Sequence, residues 1–193
     1  EMNVGVAGFN IPDVKRLTHR SYDVVNQLIQ QGYMSIPHIR AMDHPISTTL
    51  EYIEPAIAHG LESILVVQGD SIEGHDQNTV SSIDVIRASK DRWPTLKVYA
   101  ALDPYRHSFE EEILYVQRKK DAGSDGFFTQ PFFDSELAQK YIKALPDTTL
   151  FLGAAPVITE SSKNYWVQHN NVVFPDSFKL TMDYNIVLAQ HII

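Results

Sequence analysis

The stretch SFEEEILYVQRKKDAGSDGFFTQPFFD, residues 108–134, contains one complete copy of the pattern that decides the fold. Ser108 and Glu111 have the spacing of a capping box, which predicts the start of a helix. Apolar residues then recur at helical spacing as far as Gly123, which predicts the end of that helix. The run of aromatic and β-branched residues within 126–130 predicts a strand. The stretch therefore predicts a helix, a glycine turn, a strand and a loop, in that order.

The same order recurs along the chain with a period of about 30 residues. Strands are predicted at 4–11, 34–41, 63–69, 96–102, 126–130 and 149–155. Helices are predicted around 22–29, 50–57, 83–86, 109–116, 137–145 and 182–193. Near-continuous apolar strands that alternate with helices indicate right-handed crossovers and parallel strands. The chain is therefore predicted to be an α/β protein that forms a single domain over residues 1–193.

The absence of one motif decides between the two common parallel α/β architectures. An open doubly wound sheet usually has a glycine-rich phosphate turn after its first strand, but neither G-x-G-x-x-G nor G-x-x-x-x-G-K-[ST] occurs. A TIM-type (β/α) barrel is therefore favoured. A complete barrel needs about 250 residues, whereas 193 residues supply six clear units. We expect an incomplete or open barrel whose strand edges are covered by a second copy or by a partner chain.

The composition limits the class of partner. The chain has 16 Lys and Arg against 24 Asp and Glu, a net charge of −8, and no cysteine. Nucleic acid and anionic membranes require a concentrated positive surface, which this composition does not favour. No apolar stretch approaches the roughly 20 residues of a membrane span. We expect a small-molecule partner and a cytoplasmic location, and the absence of cysteine excludes a zinc-thiolate site.

Polar side chains stand at the predicted carboxyl ends of the strands, where parallel α/β proteins place their functional residues. They are Asn10, Asp13, His38, Arg40, Gln68, Asp70, Asp103 and Gln130. His38 alone is more typical of a hydrogen-bonded core histidine than of a ligand, and Asp70 is equally consistent with a turn residue. Gln130 indicates function more strongly, because a neutral amide within an apolar run is costly to bury without a partner. The basic triplet 118–120 is either a solvated helix face or a phosphate site.

Several catalytic classes lack their sequence signals. No lysine lies at the end of a predicted strand, as a Schiff-base aldolase would require. No H-x-H, H-E-x-x-H or G-x-S-x-G motif indicates metal hydrolysis or Ser-His-Asp catalysis. A metal-dependent lyase that uses His38, Asp70 and Asp103 remains a minor alternative, because these residues lack a recognisable ligand spacing.

Several segments together resemble the methylenetetrahydrofolate reductase family. They are IPH (36–38), ILVVQGD (64–70), RKKDAG (118–123), TQPFFD (129–134) and GAAPVI (153–158). Their order and spacing match over nearly the whole chain, and the segments at 118–123 and 129–134 form the most specific part. The resemblance implies a TIM-type barrel that carries FAD and reduces 5,10-methylenetetrahydrofolate to 5-methyltetrahydrofolate with NADH or NADPH.

The resemblance also implies roles for single residues, and no metal ligand among them. The residues that border the flavin are His38, Val67, Gln68, Gly69 and Asp70. Asp70 and Gln130 are the catalytic residues that the resemblance implies, and Asp70 additionally lies near the folate, where a carboxylate tunes the flavin and holds the pterin. The residues directed to the rest of FAD are Glu112, Arg118 and Lys119, the last two near its diphosphate. Gln130 contacts the substrates that exchange over the flavin, and Trp166 stacks on them.

The chain also departs from the family pattern. Gln68 replaces the usual arginine of an Arg-Gly-Asp loop, and Tyr115 stands where many members have asparagine. We expect the chain to lack the first-strand glutamate that serves as general acid, and the closing C-terminal strand. Without that acid, turnover is expected to fall by about 10²–10⁴. The alternative is therefore a non-catalytic or degenerate flavin- or folate-binding barrel that acts with a partner chain.

Overall fold

The computed structural model of the chain describes residues 8–14, 17–69 and 80–192. The strands are β1 (Phe9–Ile11), β2 (Ser35–Arg40), β3 (Ser63–Val67), β4 (Lys97–Leu102), β5 (Gly126–Pro131) and β6 (Leu150–Gly153). The helices are α1 (Ser21–Gln30), α2 (Ile46–Ala58), α3 (Ser82–Arg92), α4 (Phe109–Asp121), α5 (Ser135–Ala144), α6 (Glu160–Asn170) and α7 (Met182–Ile192). A 3-10 turn, Ala41–Asp43, directly follows β2.

The strands are parallel and their order in the sheet follows the order of the chain. Helices separate each strand from the next. Six parallel strands that alternate with helices form the pattern of a TIM-type barrel with fewer than its eight units. The predicted fold class, an incomplete TIM-type α/β barrel, is confirmed.

The predicted strand ends differ slightly from the observed ones. β3 ends at Val67 instead of Gly69, because Gly69 has a φ of 88°, which no strand adopts. β6 covers Leu150–Gly153, a shorter range than predicted. β1 covers Phe9–Ile11, and the first part of that predicted strand lies outside the described residues.

The described residues form two compact units, and the first contains the residues up to Ala100 together with Lys119–Asp125. Its core is the central strand β3, in which Ile64, Leu65 and Val66 are all buried. A strand that is buried on both faces reads as a continuous apolar run, which explains why the sequence predicts it clearly.

The second unit contains Ala101–Arg118 and the chain from Gly126 onwards. Its core is aromatic: Phe127, Phe132 and Phe133 have at most 1% of their surface exposed. Phe127 lies near the start of β5, and Phe132 and Phe133 directly follow its end, so both ends of the strand carry buried rings. The prediction of a single domain over the whole chain stays a prediction.

The pairing of β5 with β6 is interrupted by a bulge. Phe128 pairs with Phe151, but the next pair is Pro131 with Gly153. Two residues of β5, Thr129 and Gln130, therefore lie opposite one residue of β6. A bulge bends the strand and changes the direction of the side chains on it.

The capping box predicted at Ser108 and Glu111 is present at the start of α4. The Ser108 backbone N–H donates to the Glu111 carboxylate at 3.0 Å, and the Glu111 N–H donates to Ser108 Oγ at 3.3 Å. The carboxylate also lies near the positive end of the helix dipole. The Ser108 hydroxyl donates to the same carboxylate at 2.8 Å, and this bond, together with the bond from the Ser108 N–H, lowers the pKa of Glu111.

Helix α6 is not predicted from the sequence, because it has no buried residue and hence no apolar periodicity. Its caps were visible in the sequence nevertheless. Thr159 Oγ1 accepts from the Ser162 N–H at 3.1 Å, and Asn171 ends the helix in the left-handed conformation. The final helix, predicted at 182–193, is found at Met182–Ile192.

Within the described part of the chain, every helix is too short or too polar to cross a lipid bilayer.

Candidate functional site

His38, within β2, and Asn10, within β1, meet on neighbouring strands. The His38 Nε2 atom lies 2.9 Å from Asn10 Oδ1, so a neutral ring carries its proton on Nε2. The backbone oxygen of His38 accepts a hydrogen bond from Ser21 Oγ at 2.5 Å. Burial lowers the pKa of His38 to about 4, and the negative charge of Asp13 opposes part of that shift. His38 is therefore an uncharged hydrogen-bonding group at neutral pH.

The lowered pKa of His38 predicts a pH-dependent stability. Its folded pKa of about 4 lies below the ordinary value of 6.5, so the unfolded chain binds the proton more readily between these values. The contribution of neutral His38 is complete above pH 6.5 and is lost as the pH falls toward 4. We expect the free energy of unfolding to lose about 2 kcal/mol through His38 between pH 7 and pH 5. Urea denaturation of the wild type and of His38→Gln across this range measures it. Equal pH slopes for the two proteins would contradict the prediction.

A cluster of two arginines and two aspartates lies beside His38. Arg20 Nε donates to Asp13 Oδ1 at 2.8 Å, and Arg20 Nη2 donates to both Asp13 and Asp43, the latter at 2.7 Å. Arg40 Nε donates to Asp43 Oδ1 at 3.2 Å. The Asp13 and Asp43 side chains have only 1% and 5% of their surface exposed. Asp13 and Arg40 are predicted from their places at strand ends, whereas Arg20 and Asp43 are not predicted from the sequence.

Gly69 allows the backbone after β3 to approach Arg40. A Cβ atom at Gly69 would lie 3.2 Å from Arg40 Nη2, and the φ of 88° is unfavourable for a residue with a side chain. Glycine therefore fits this position for two reasons. Val67, the residue at the end of β3, pairs with Arg40 across the sheet.

Gln68 connects the end of β3 to the start of α3. Its Nε2 donates to the Val80 carbonyl at 3.2 Å, and its Oε1 accepts from the Ser82 N–H at 2.8 Å. One N–H of the amide remains for another partner. Asp70, predicted as a catalytic and flavin-bordering residue, lies outside the described residues.

Gln130 lies on the bulge of β5 and its side chain is partly exposed. Its amide makes no hydrogen bond to any residue in the described ranges, although an amide offers two donor hydrogens and an acceptor oxygen. A polar side chain at a strand end that forms no hydrogen bond within the protein has its donors and acceptor available for a ligand.

Trp166, on α6, packs against the residues that follow β5. Its ring centre lies 5.1 Å from that of Phe133, in an edge-to-face arrangement. Phe133 in turn contacts the rings of Phe174 and Phe178. Trp166 is only partly buried by these contacts. Its role as a surface for substrate stacking stays a prediction.

The predicted FAD-directed residues of α4 differ in their environments. Glu112 has 1% of its surface exposed, and its Oε1 accepts from the Asp103 N–H at 3.1 Å. Arg118 is exposed, with its Cζ 5.0 Å from the ring centre of Tyr115. Lys119 has only 4% of its surface exposed. The predicted basic pair therefore consists of one exposed cation and one buried cation, and their role at the diphosphate stays a prediction.

An apolar cavity of about 200 Å³ occurs in the second unit, at the loop after β6. Phe132, Ala155 and Leu188 are among the residues that line it. None of the predicted site residues lines this cavity. Among the described ranges, no group of three or more His, Asp or Glu side chains is arranged to hold a metal ion.

The chemistry of the predicted residues fits a flavin dinucleotide. Such a cofactor needs a cation for its diphosphate, a backbone that it can approach closely, and polar groups around its ring system. Within the second unit, Arg118 provides an exposed guanidinium, and Gln130 provides an amide without a partner in the described ranges. Within the first unit, His38 provides a further uncharged polar group. The assignment of FAD to these residues stays a prediction.

A comparison with protein families gives a match over most of the chain. The model of the methylenetetrahydrofolate reductase family matches residues 7–183. "Probable methylenetetrahydrofolate reductase (NADPH)" of Caenorhabditis elegans is 27% identical over 144 residues, which cover 70% of this chain and 22% of that protein. "5,10-methylenetetrahydrofolate reductase" of Escherichia coli is 23% identical over 151 residues, which cover 75% of this chain and 51% of that protein.

Solved structures share the fold at low sequence identity. A crystal structure of oxaloacetate acetylhydrolase matches 99% of this chain and 83% of its own, with a TM-score of 0.61 and 16% identity. A crystal structure of 2,3-dimethylmalate lyase matches 75% of this chain and 54% of its own, with a TM-score of 0.57 and 19% identity. At such identities the likeness shows the α/β fold alone.

Proposed function

Because the chain belongs to the methylenetetrahydrofolate reductase family, we propose that it takes part in the reduction of 5,10-methylenetetrahydrofolate to 5-methyltetrahydrofolate. NADH or NADPH is the proposed reductant and FAD the proposed cofactor. The chain spans between about a fifth and just over half of the length of the curated relatives it matches. The activity of the whole protein is therefore part of the proposal.

The proposal rests mainly on one observation, the side-chain amide of Gln130 that has no hydrogen-bond partner in the described ranges. Gln130 stands at the strand end where the family resemblance places a substrate-contacting glutamine. In our proposal, this amide hydrogen-bonds the folate-type substrate and the nicotinamide in turn. It holds each of them in the orientation required for hydride transfer.

In this proposal, the residues of the chain bind FAD and the two substrates and hold them in the required orientation. FAD, when bound, would supply the chemistry of accepting hydride from the nicotinamide and delivering it to the folate. His38 remains uncharged near neutral pH and offers a hydrogen bond without adding positive charge. Gly69 keeps its family-derived place beside the flavin, and the exposed Arg118 guanidinium binds phosphate oxygens. Glu112, Lys119, Asp70 and Trp166 keep their family-derived roles in the proposal.

The experiment that tests the proposal is reconstitution of the purified chain with FAD. We expect visible flavin absorbance that stays with the protein on gel filtration, and oxidation of NADH or NADPH coupled to 5,10-methylenetetrahydrofolate. Oxidation with a quinone acceptor but not with the folate would favour the alternative, a degenerate flavin-binding module. Failure to bind either FAD or folate would contradict both.

Replacement of Gln130 tests whether its amide binds the substrate. We expect Gln130→Leu to lower kcat/KM for the folate by about 10- to 100-fold, because one or two ligand hydrogen bonds are lost while the side-chain volume is kept. Flavin content is expected to stay unchanged. Gln168→Leu, at an exposed position of α6, is the matched control and should retain full activity. Equal activity of the two variants would contradict the role of Gln130.

The same proposal includes a cytoplasmic location and a second copy or a partner chain along the free strand edges. β1 and β6 are the outermost strands of the described sheet, and each pairs with one neighbour. A strand with a free edge favours pairing with a further strand.

A further inference from the structure

The hydroxyl group of Tyr105 makes two hydrogen bonds to the backbone directly after Gln130. It donates to the Pro131 carbonyl at 3.0 Å and accepts from the Phe133 N–H at 3.2 Å. Burial raises the pKa of Tyr105 to about 12, so the hydroxyl keeps the proton that it donates. The hydroxyl therefore closes the backbone turn that follows the bulge.

The other side of the bulge is packed against β6. A Cβ atom at Gly153 would lie 2.7 Å from the Thr129 carbonyl oxygen and 2.9 Å from the Pro131 nitrogen. The Gly153 N–H also donates to Thr129 Oγ1 at 2.9 Å. Gln130 is thus held between a close backbone contact on one side and the Tyr105 hydroxyl on the other.

Hydrogen bonds within the second unit hold the backbone of Tyr105, directly through Asp103 and indirectly through Glu112. Its N–H donates to Asp103 Oδ1 at 3.0 Å, and the Asp103 N–H donates to Glu112 Oε1 at 3.1 Å. Glu112 is almost completely buried, with 1% of its surface exposed. These hydrogen bonds link a buried carboxylate on α4 to the strand end that carries Gln130.

We propose that Tyr105 is a positioning residue, whose hydroxyl fixes the backbone after the bulge and so aims the Gln130 amide at the folate-type substrate. Only the claim that the Gln130 amide faces a folate-type substrate rests on the proposed function. The position of the backbone can be tested without any ligand.

Tyr105→Phe and Tyr141→Phe form a matched pair of variants. Both remove one hydroxyl from a tyrosine of the second unit and leave the ring in place. The Tyr141 hydroxyl is buried and has no hydrogen-bond partner in the described part of the chain. Its removal therefore breaks no hydrogen bond, and it serves as the control.

Amide hydrogen exchange in the full chain tests the backbone contact. We expect Tyr105→Phe to accelerate exchange of the Phe133 N–H by about tenfold, and Tyr141→Phe to leave it unchanged. The Phe132 N–H, which donates to the Gly153 carbonyl at 3.2 Å, serves as an internal reference. Unchanged exchange at Phe133 in Tyr105→Phe would overturn the positioning role.

A double-mutant cycle in the FAD-reconstituted chain tests the substrate part. We expect Tyr105→Phe to lower kcat/KM for 5,10-methylenetetrahydrofolate about tenfold, but less than twofold when Gln130→Leu is already present. Fully additive losses would show that Tyr105 does not act through Gln130 and would overturn the inference. A wild-type chain without reductase activity would overturn the proposed function and the substrate part, while the exchange result separately decides the backbone contact.

Discussion

Phe133→Ala is expected to lower the free energy of unfolding by about 4 kcal/mol, the largest effect of any single substitution considered for this protein. Phe133 is fully buried, with 0% of its surface exposed. Its ring lies 4.8 Å from that of Phe174 and 5.1 Å from that of Trp166. Alanine removes the ring at the centre of this group and leaves a cavity that the surrounding aromatic side chains fill only partly.

Urea denaturation at neutral pH measures the effect, and tryptophan fluorescence provides a local signal. We expect a red shift of the emission, because Trp166 loses a packing partner while Trp93 lies in the first unit. Phe151→Ala is the control, since Phe151 is 39% exposed and its truncation removes less buried surface. A loss at Phe133 no larger than the loss at Phe151 would contradict the prediction.

Arg20→Met is expected to destabilise the chain by about 3 kcal/mol, because it leaves two nearly buried carboxylates without the cation that they share. The pKa of Arg20 is raised mainly by its hydrogen bond to Asp13, so the guanidinium is charged at every working pH. Methionine keeps much of the side-chain length, so most of the loss comes from the ion pairs.

The matched control is Arg92→Met, which removes an ion pair at the surface. Arg92 bonds Glu54 at 2.5 Å, and both side chains are 50% exposed. Such a pair contributes about 0–1 kcal/mol and weakens in salt. The two variants are compared by urea denaturation at low and high salt. Equal losses in the two variants would show that the Arg20 cluster contributes no more than a surface pair.

The repeating helix and strand units could be predicted from the sequence because buried positions are apolar and recur at spacings that differ between helices and strands. Continuous apolar runs such as 63–67 mark buried strands, and apolar residues at helical spacing mark helices that pack on them. α6 lacks a buried residue, so its pattern contains only caps. A search for caps without periodicity would have identified it.

Residues of the candidate site can be predicted from the sequence only where a single residue is unusual among its sequence neighbours. Gln130 is unusual in its local sequence, and the structure leaves its amide without an internal partner in the described ranges. The cluster around Arg20 depends on Asp43, which is 23 residues away along the chain, and no local pattern encodes such a contact. Arg118 and Lys119 are neighbours in sequence, but successive helix positions point about 100° apart, so one is exposed and the other buried.

The two hydrogen bonds of Gln68 make one side chain responsible for the junction between β3 and α3. The Gln68 amide donates to the Val80 carbonyl and accepts from the Ser82 N–H, so it fixes the start of α3 relative to the end of β3. Because the junction uses one donor and one acceptor of the same amide, a side chain that can only donate, such as that of arginine, cannot replace it.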